Sequence, residues 1–283
     1  MTPTPVEYLV IGHITRDLAS DGGHTIGGTA SYAALTAAAL GRRVGILTSF
    51  DTALNTTVFD GALTIVNYQA PSSTTFENIY TNGHRRQMIY TVAATLTPAQ
   101  IPTTWQQSPL VHIGPVMAEC DPALIETFAG RAFIGITPQG WLRTHDTHGN
   151  VIPCAWAEAK RVLPLASAVV LSIDDIGGDW SLARHFAQQT ALLVVTQGKQ
   201  GGTLFIQGDP QMYPAISVTE VGPTGAGDIF ASALFVALAG GAPPLRAANY
   251  AACLAGYSVT RTGLDSTPRP EEVALCASRL AYE

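Results

Sequence analysis

Charge is scarce in this chain: only 13% of its 283 residues are Asp, Glu, Lys or Arg. The 15 Lys and Arg are outnumbered by 21 Asp and Glu, leaving a formal net charge of −6. A surface this poor in cations is ill suited to nucleic acid, whose phosphates need Lys and Arg to displace their counterions. Cysteine is also sparse. Cys120, Cys154, Cys253 and Cys276 show no C-x-x-C spacing, so neither a metal site nor a disulfide is expected, and reduced core thiols are. Long hydrophobic runs are absent too; the longest, Ile229 to Ala239, falls short of the ~20 residues that cross a bilayer. Met1-Thr2-Pro3-Thr4-Pro5 has neither a basic start nor an apolar signal segment. With 47% hydrophobic residues disorder is excluded. The expectation is a soluble, cytoplasmic globular protein without a nucleic-acid or membrane partner.

What the chain has is rhythm. Short apolar, β-branched runs at Tyr8–Ile11, Val44–Thr48, Thr64–Asn67, Leu110–Ile113, Phe133–Thr137, Ala168–Leu171, Leu192–Thr196 and Thr203–Ile206 alternate with helical stretches. The helices expected are Thr29–Leu40, Pro122–Ala129, Ala155–Leu163, Trp180–Gln189, Gly227–Ala239, Leu245–Thr260 and Pro270–Tyr282. Continuous rather than alternating apolar runs mark strands buried on both faces. Strand–helix alternation then implies an α/β fold, a three-layer αβα sandwich with a mainly parallel central sheet. Two stretches break the rhythm. Residues 13–26 are polar and glycine-rich, and residues 72–92 carry alternating residues around Asn82-Gly83, a strong hairpin signal. Together they read as a small β lid on a single domain spanning residues 1–283.

The segment Val221-Gly222-Pro223-Thr224-Gly225-Ala226-Gly227-Asp228 leads directly into an apolar helix. Small residues leave backbone N–H groups unobstructed, and a helix start aims its unpaired N–H groups and positive dipole end outward. That is an anion hole built from main chain, with the Asp228 carboxylate beside it. A plain glycine-rich turn with a first-turn acid explains the same residues. The spacing matches neither G-x-G-x-x-G nor G-x-x-x-x-G-K-[ST], which argues against a dinucleotide site and a P-loop.

Gly225-Ala226-Gly227-Asp228 resembles the C-terminal signature of the ribokinase-like (PfkB) carbohydrate kinases. Three further motifs appear in family order: Gly12-His13-Ile14-Thr15-Arg16-Asp17 after the first strand, Gly27-Gly28-Thr29-Ala30-Ser31-Tyr32-Ala33 opening the first helix, and Thr196-Gln197-Gly198-Lys199-Gln200-Gly201. The resemblance implies a ribokinase-like fold and an ATP-dependent kinase acting on a small sugar or cyclitol. Asp228 would be the base that takes the proton from the acceptor hydroxyl, and the amides of Gly225, Ala226 and Gly227 would hold the charge of the transferring phosphoryl group. Asp17, Gly27, Gly28 and Tyr32 would bind a polyhydroxylated substrate. Thr196, Gly198, Gly201, Thr224 and Asn249 would bind ATP, with Asn249–Gly263 forming a wall around the adenine. Gly198 and Gly201 are equally explained by a hairpin turn. Mg²⁺ is expected because it bridges phosphate oxygens.

Three departures bear on this. Gly222 stands where the family has the Asp of its D-x-x-G-A-G-D, which puts K⁺ activation in doubt. Tyr32 replaces a common Asn. Ser172-Ile173-Asp174-Asp175 replaces N-x-x-E, leaving Asp175 as an indirect Mg²⁺ contact. Thr137-Pro138-Gln139-Gly140-Trp141-Leu142-Arg143 is similar to a branch that includes inositol-type kinases. Arg85, Arg86 and Arg143 could reach a phosphate from the lid or the cleft edge but read first as solvated surface residues, His145 and His148 lack a third metal ligand, and the four Trp read as packing. The alternatives are a nucleoside kinase, with Tyr32 and Phe76 as a base shelf, and a non-catalytic sugar- or nucleotide-binding protein. Assembly as monomer or homodimer stays open.

Overall fold

Side chains alternate across a strand, so a short apolar run presents two faces that both need cover. In β1 (Tyr8–Ile11), Tyr8 and Val10 enter one buried cluster while Leu9 and Ile11 enter another on the opposite side. The same parity divides Ala168 and Val170 from Val169 and Leu171, and Leu192 and Val194 from Leu193 and Val195. In the computed structural model, which describes residues 3–19, 21–81 and 84–281, helices cover both faces.

The strands after β1 are β2 (Thr15–Leu18), β3 (His24–Gly27), β4 (Val44–Thr48), β5 (Thr64–Asn67), β6 (Thr75–Thr81), β7 (His84–Thr91), β8 (Leu110–Ile113) and β9 (Phe133–Ile136). They continue with β10 (Arg143–His145), β11 (Val151–Pro153), β12 (Ala168–Ser172), β13 (Leu192–Thr196), β14 (Gly202–Ile206) and β15 (Asp209–Tyr213). The helices are α1 (Thr29–Ala39), α2 (Ala123–Phe128), α3 (Ala159–Val162), α4 (Trp180–Ala187), α5 (Ala226–Ala239), α6 (Pro244–Ser258) and α7 (Pro270–Ala281). Nine strands form one sheet in the order β15-β14-β13-β12-β9-β8-β1-β4-β5. Pairing is parallel from β5 to β13, and β14 and β15 add antiparallel strands at one edge. One face carries α1, α5 and α6, and the other carries α2, α3 and α4. The expected αβα sandwich is therefore observed.

A second sheet, β3-β2-β6-β7, stands apart from the first. Its β6–β7 hairpin is the one expected, although Asn82 and Gly83 lie outside the described residues. The polar stretch 13–26 holds β2 and β3, which pair antiparallel. A short β10–β11 hairpin leans on β7, where the Ile89 N–H donates to the Gly149 carbonyl at 2.9 Å.

Three expectations need correcting. The helix expected over Ala155–Leu163 is shorter: α3 begins only at Ala159, after a turn at residues 157–158, and passes into a 3₁₀ turn at Leu163–Leu165 that contains Pro164. β15 was not foreseen; its Pro210 is tolerated because the strand lies at the sheet edge. Cys253 and Cys276 form a disulfide joining α6 to α7. Their separation of 23 residues is no sequence signature, and helix packing alone brings them together. Cys120 is a free, buried thiol and Cys154 a free, half-buried one. Among the described residues no helix is long and apolar enough to cross a membrane.

Candidate active site

Asp228 lies in the first turn of α5, behind Gly225 at the helix N-cap. Gly225 has φ 85°, and a Cβ there would come within 2.4 Å of the Tyr32 ring. Glycine is therefore required both by the left-handed backbone and by the aromatic face against it. A Cβ on Gly227 would meet open space. The Ala226 N–H closes a turn on the Pro223 carbonyl at 3.2 Å, so this one of the three amides is already engaged. Burial pushes the Asp228 carboxyl up to about 6, against a hydrogen bond from the Thr29 hydroxyl; Asp175 raises it further and Arg143 opposes the rise.

Tyr32, in α1, lies between two acids. Burial first, then the charges of Asp17 and Asp228, raise its phenol well above the ordinary value. Asp17, on β2, accepts a bond from the Thr15 hydroxyl at 2.8 Å. The Gly27-Gly28 pair makes this proximity possible. A Cβ on Gly27 would sit 2.2 Å from an Asp17 carboxylate oxygen, and one on Gly28, at φ 87°, 2.4 Å from the His13 carbonyl. A cavity of about 1020 Å³ opens here, walled by Asp17, Thr25, Tyr32, Glu77, Thr224 and Asp265. The sequence did not single out Glu77 or Asp265. Each is an ordinary charged residue until the small sheet and the segment after α6 fold against α1.

A second group gathers at the carboxyl ends of β12 and β13, where Ser172 and Thr196 are partners in register. Ser172 and Asp175 form a capping box: the Asp175 carboxylate accepts the Ser172 N–H at 2.8 Å, and the Ser172 hydroxyl accepts the Asp174 N–H at 3.2 Å. Asp175 also accepts the Gln139 side-chain amide at 3.1 Å. Burial raises its carboxyl, against these bonds and the charge of Arg143. Gly198 and Gly201 belong to the turn joining β13 to β14, closed by the Gln197 N–H on the Gly201 carbonyl at 2.8 Å. Asn249 is half-buried in the second turn of α6. At the end of that helix the Val259 carbonyl accepts the Val221 and Gly222 amides at 2.7 and 3.0 Å.

The structure thus brings Asp17, Tyr32 and Thr224 to one cavity, packs Gly27 against Asp17, Gly28 against the His13 carbonyl and Gly225 against the Tyr32 ring, and sets Asp228 within electrostatic range of Tyr32 and Asp175. Thr196, Gly198 and Gly201 cluster beside Ser172, and Asn249 stands apart in α6. Arg143 is not the solvated residue expected. It is half-buried, its Nε donates to the Val116 carbonyl at 2.7 Å and its Nη1 to the Gln87 side chain at 2.9 Å. Phe76 is not available as a base shelf: it is buried with Ile89, Val116 and Met117. Arg86 is exposed, as expected, and the Arg85 side chain lies outside the described set. Trp105, Trp141 and Trp156 are buried, the last two stacked at 5.5 Å.

The architecture is an open αβα sheet with a helix-start glycine turn, a half-buried acid and a cavity between the small sheet, α1 and the segment after α6. Residues 139–271 match the model of the pfkB family carbohydrate kinases. A fructokinase of Klebsiella pneumoniae is 32% identical over 144 residues, 46% of each chain. A pyrophosphate-dependent kinase of the ribokinase family, complexed with a pyrophosphate analog and myo-inositol, superposes with a TM-score of 0.79 at 21% identity, covering 94% of this chain and 99% of its own. The Arabidopsis thaliana ribokinase, complexed with ribose and ATP, covers 100% of both chains at a TM-score of 0.72 and 14% identity. The curated relatives are matched over only 18% and 46% of their own lengths. The fold is that of the ribokinase family, and the resemblance to the ribokinase-like (PfkB) carbohydrate kinases is borne out.

Proposed function

We propose that this protein is a kinase that transfers the γ-phosphoryl group of ATP to a hydroxyl of a small sugar or cyclitol. The observation that carries the reading is Asp228, a half-buried acid pushed up to about 6 at a glycine-opened helix start, with Tyr32 between it and Asp17. A carboxylate poised near neutrality is a serviceable general base, because it is ionised at pH 7 yet still proton-seeking. Asp17 would accept hydrogen bonds from substrate hydroxyls. Asp228 would take the proton of the attacking hydroxyl as its oxygen bonds to phosphorus and the anhydride bond breaks. The amides of Gly225, Gly227 and, once its turn opens, Ala226 would face the charge on the phosphoryl oxygens.

Mg²⁺ would supply charge neutralisation across the donor's phosphates. The residues fit such an ion held mainly by phosphates and water, with Asp175 as its protein contact, because each Asp175 oxygen keeps acceptor capacity beyond its bonds to Ser172 and Gln139. The reading includes a single domain in which residues 13–26 and 72–92 close as a lid and keep water from the activated phosphate. It also includes a cytoplasmic monomer or homodimer. Thr196, Gly198, Gly201, Thr224 and Asn249 remain the proposed ATP contacts.

The second reading is a non-catalytic sugar- or nucleotide-binding protein, favoured by the capping box that occupies Ser172 and Asp175. The deciding experiment measures donor consumption with Mg²⁺ against pentoses, hexoses, inositols and nucleosides. ATP and pyrophosphate serve as separate donors, in Na⁺ and in K⁺, beside Asp228→Asn. We expect turnover on a sugar or an inositol, no K⁺ stimulation, and loss of turnover in Asp228→Asn with ligand binding kept. Binding without turnover in the wild type supports the second reading. Undiminished turnover in Asp228→Asn removes the base.

A further inference from the structure

We propose that Arg261 is a positioning residue of the acceptor cavity: its guanidinium holds the turn that walls the cavity and keeps it seated against the glycine segment leading to Asp228. The proposal rests on the kinase reading for the reaction, and on the bonds of Arg261 for the residue.

Arg261 lies three residues beyond the end of α6, where the chain turns back toward α7. Its side chain reaches across that turn. Nε donates to the Asp265 carbonyl at 2.8 Å, and Nη2 makes longer contacts of 3.4 Å to the Ser266 and Thr267 carbonyls. On the other side Nη1 and Nη2 grip the two Glu272 carboxylate oxygens at 2.6 and 2.9 Å, a two-point pair. Glu272 stands in the first turn of α7 and also accepts the Arg269 N–H at 3.0 Å. The Arg261 and Glu272 side chains are only 15% and 11% exposed, so salt screens the pair little.

The turn held in this way is the 3₁₀ turn Gly263–Ser266, and Thr262, Gly263, Leu264 and Asp265 all line the cavity that Asp17 and Tyr32 share. It also touches β3, whose Thr25 and Ile26 line the same cavity. Apolar packing alone cannot fix this wall, because Ser266 is the only fully buried residue between 262 and 267. The same segment meets the glycine turn. Val259 accepts the Val221 and Gly222 amides, and a Cβ on Gly222 would come within 2.9 Å of the Thr262 side chain and 3.2 Å of the Arg261 carbonyl. One guanidinium therefore sets a wall of the acceptor cavity and the backing of the segment that carries the anion-hole amides. A lysine could still pair with Glu272, but an ammonium lacks the planar fork that reaches a carboxylate and a backbone carbonyl at once. The Cys253–Cys276 disulfide joins the same two helices about one turn further along α7 and ties the helices without holding the turn.

The test compares wild type, Arg261→Lys, Arg261→Ala and the Cys253→Ser/Cys276→Ser variant, reading acceptor KM, donor KM, kcat and melting temperature for each. Misplacing a reacting group by about 1 Å costs on the order of 10²-fold. We expect Arg261→Ala to raise the acceptor KM and to lower kcat at least about tenfold each, with the donor KM changed less than about threefold. Arg261→Lys should melt within about 2 °C of wild type, because the pair with Glu272 survives, yet raise the acceptor KM at least about fivefold. The disulfide variant should melt lower and leave the acceptor KM within about twofold of wild type. Millimolar guanidinium ion should lower the acceptor KM of Arg261→Ala and leave that of Arg261→Lys unchanged. A rise of less than about fivefold in Arg261→Lys overturns the proposal and leaves the kinase reading intact. A disulfide variant whose acceptor KM rises as far as that of Arg261→Lys overturns it too, since helix packing and not the guanidinium would then set the wall. If the wild type turns over no acceptor, the kinase reading fails, and titration calorimetry with ribose and with myo-inositol decides separately. Binding weakened at least about fivefold in Arg261→Lys supports the positioning role, and a smaller change or no binding overturns it.

Discussion

Asp228→Asn should stabilise the fold while it abolishes turnover. The carboxyl is pushed up from 3.8 to about 6, chiefly by burial, so at neutral pH the folded protein holds an ionised group in a place that disfavours it. At 1.36 kcal/mol per pKa unit, that difference sets an upper bound of about 3 kcal/mol on the destabilisation. Asp228 is half-buried as a residue, so solvent screening brings the expected gain to about 1–2 kcal/mol. For a chain of this length that corresponds to a rise of about 2–4 °C in melting temperature. The pH dependence has a definite sign. Between 3.8 and about 6 the folded state binds a proton that the unfolded state has lost, so the wild type regains stability as pH falls through 6. The amide variant does not titrate. Differential scanning fluorimetry of both proteins at pH 8 and at pH 5 should show a gap that narrows at pH 5. A gap of equal size at both pH values, or an Asn variant that melts lower at pH 8, would refute the burial argument. The same group predicts an acid limb in kcat/KM near pH 6, absent if some other residue is the base.

Two further perturbations test the scaffold. Gly225→Ala places a Cβ 2.4 Å from the Tyr32 ring at φ 85°; it should cut kcat at least about tenfold and cost about 1–2 kcal/mol from the backbone alone. The same change made in Tyr32→Asn should cost less, and strict additivity in that double-mutant cycle would mean the ring is not the obstacle. Replacing Cys253 and Cys276 by Ser opens the tie between α6 and α7 and should lower stability by about 3 kcal/mol, read from denaturant midpoints. An unchanged midpoint under non-reducing conditions would show that the pair contributes nothing to stability.

The layered fold was legible because parity is local. Continuous apolar runs such as Leu192–Thr196 declare strands buried on both faces, and the structure divides their side chains between two cores. Asp17, Tyr32 and Asp228 were legible as a group only through motif order, since more than 200 residues separate the first from the last. Glu77 and Asp265 had no such marker, and they join the cavity only because the small sheet and the segment after α6 converge on α1. The disulfide was invisible for the same reason: two cysteines 23 residues apart signify nothing until two helices pack.

Arg143 shows where one-dimensional reading misleads most. Beside Leu142, Thr144 and His145 it looks like an ordinary polar residue leaving a sheet, and its neighbours Thr144 and His145 are indeed exposed. What separates it from them is a set of partners distant in sequence: Val116, Gln87 and Phe76, none within 25 residues of it. The buried ring beneath it bears on the function as well. Phe76 is spent on the small core with Ile89, Val116 and Met117, which takes away the shelf a nucleoside base would need. The cavity wall mixes Asp17, Thr25, Glu77 and Asp265, which can bond hydroxyls, with apolar side chains such as Leu18, Ile26 and Val58. Phe76→Ala should therefore lower stability by about 3–5 kcal/mol, read from denaturant midpoints, without creating nucleoside turnover; gain of nucleoside kinase activity would refute the assignment of this ring to the small core.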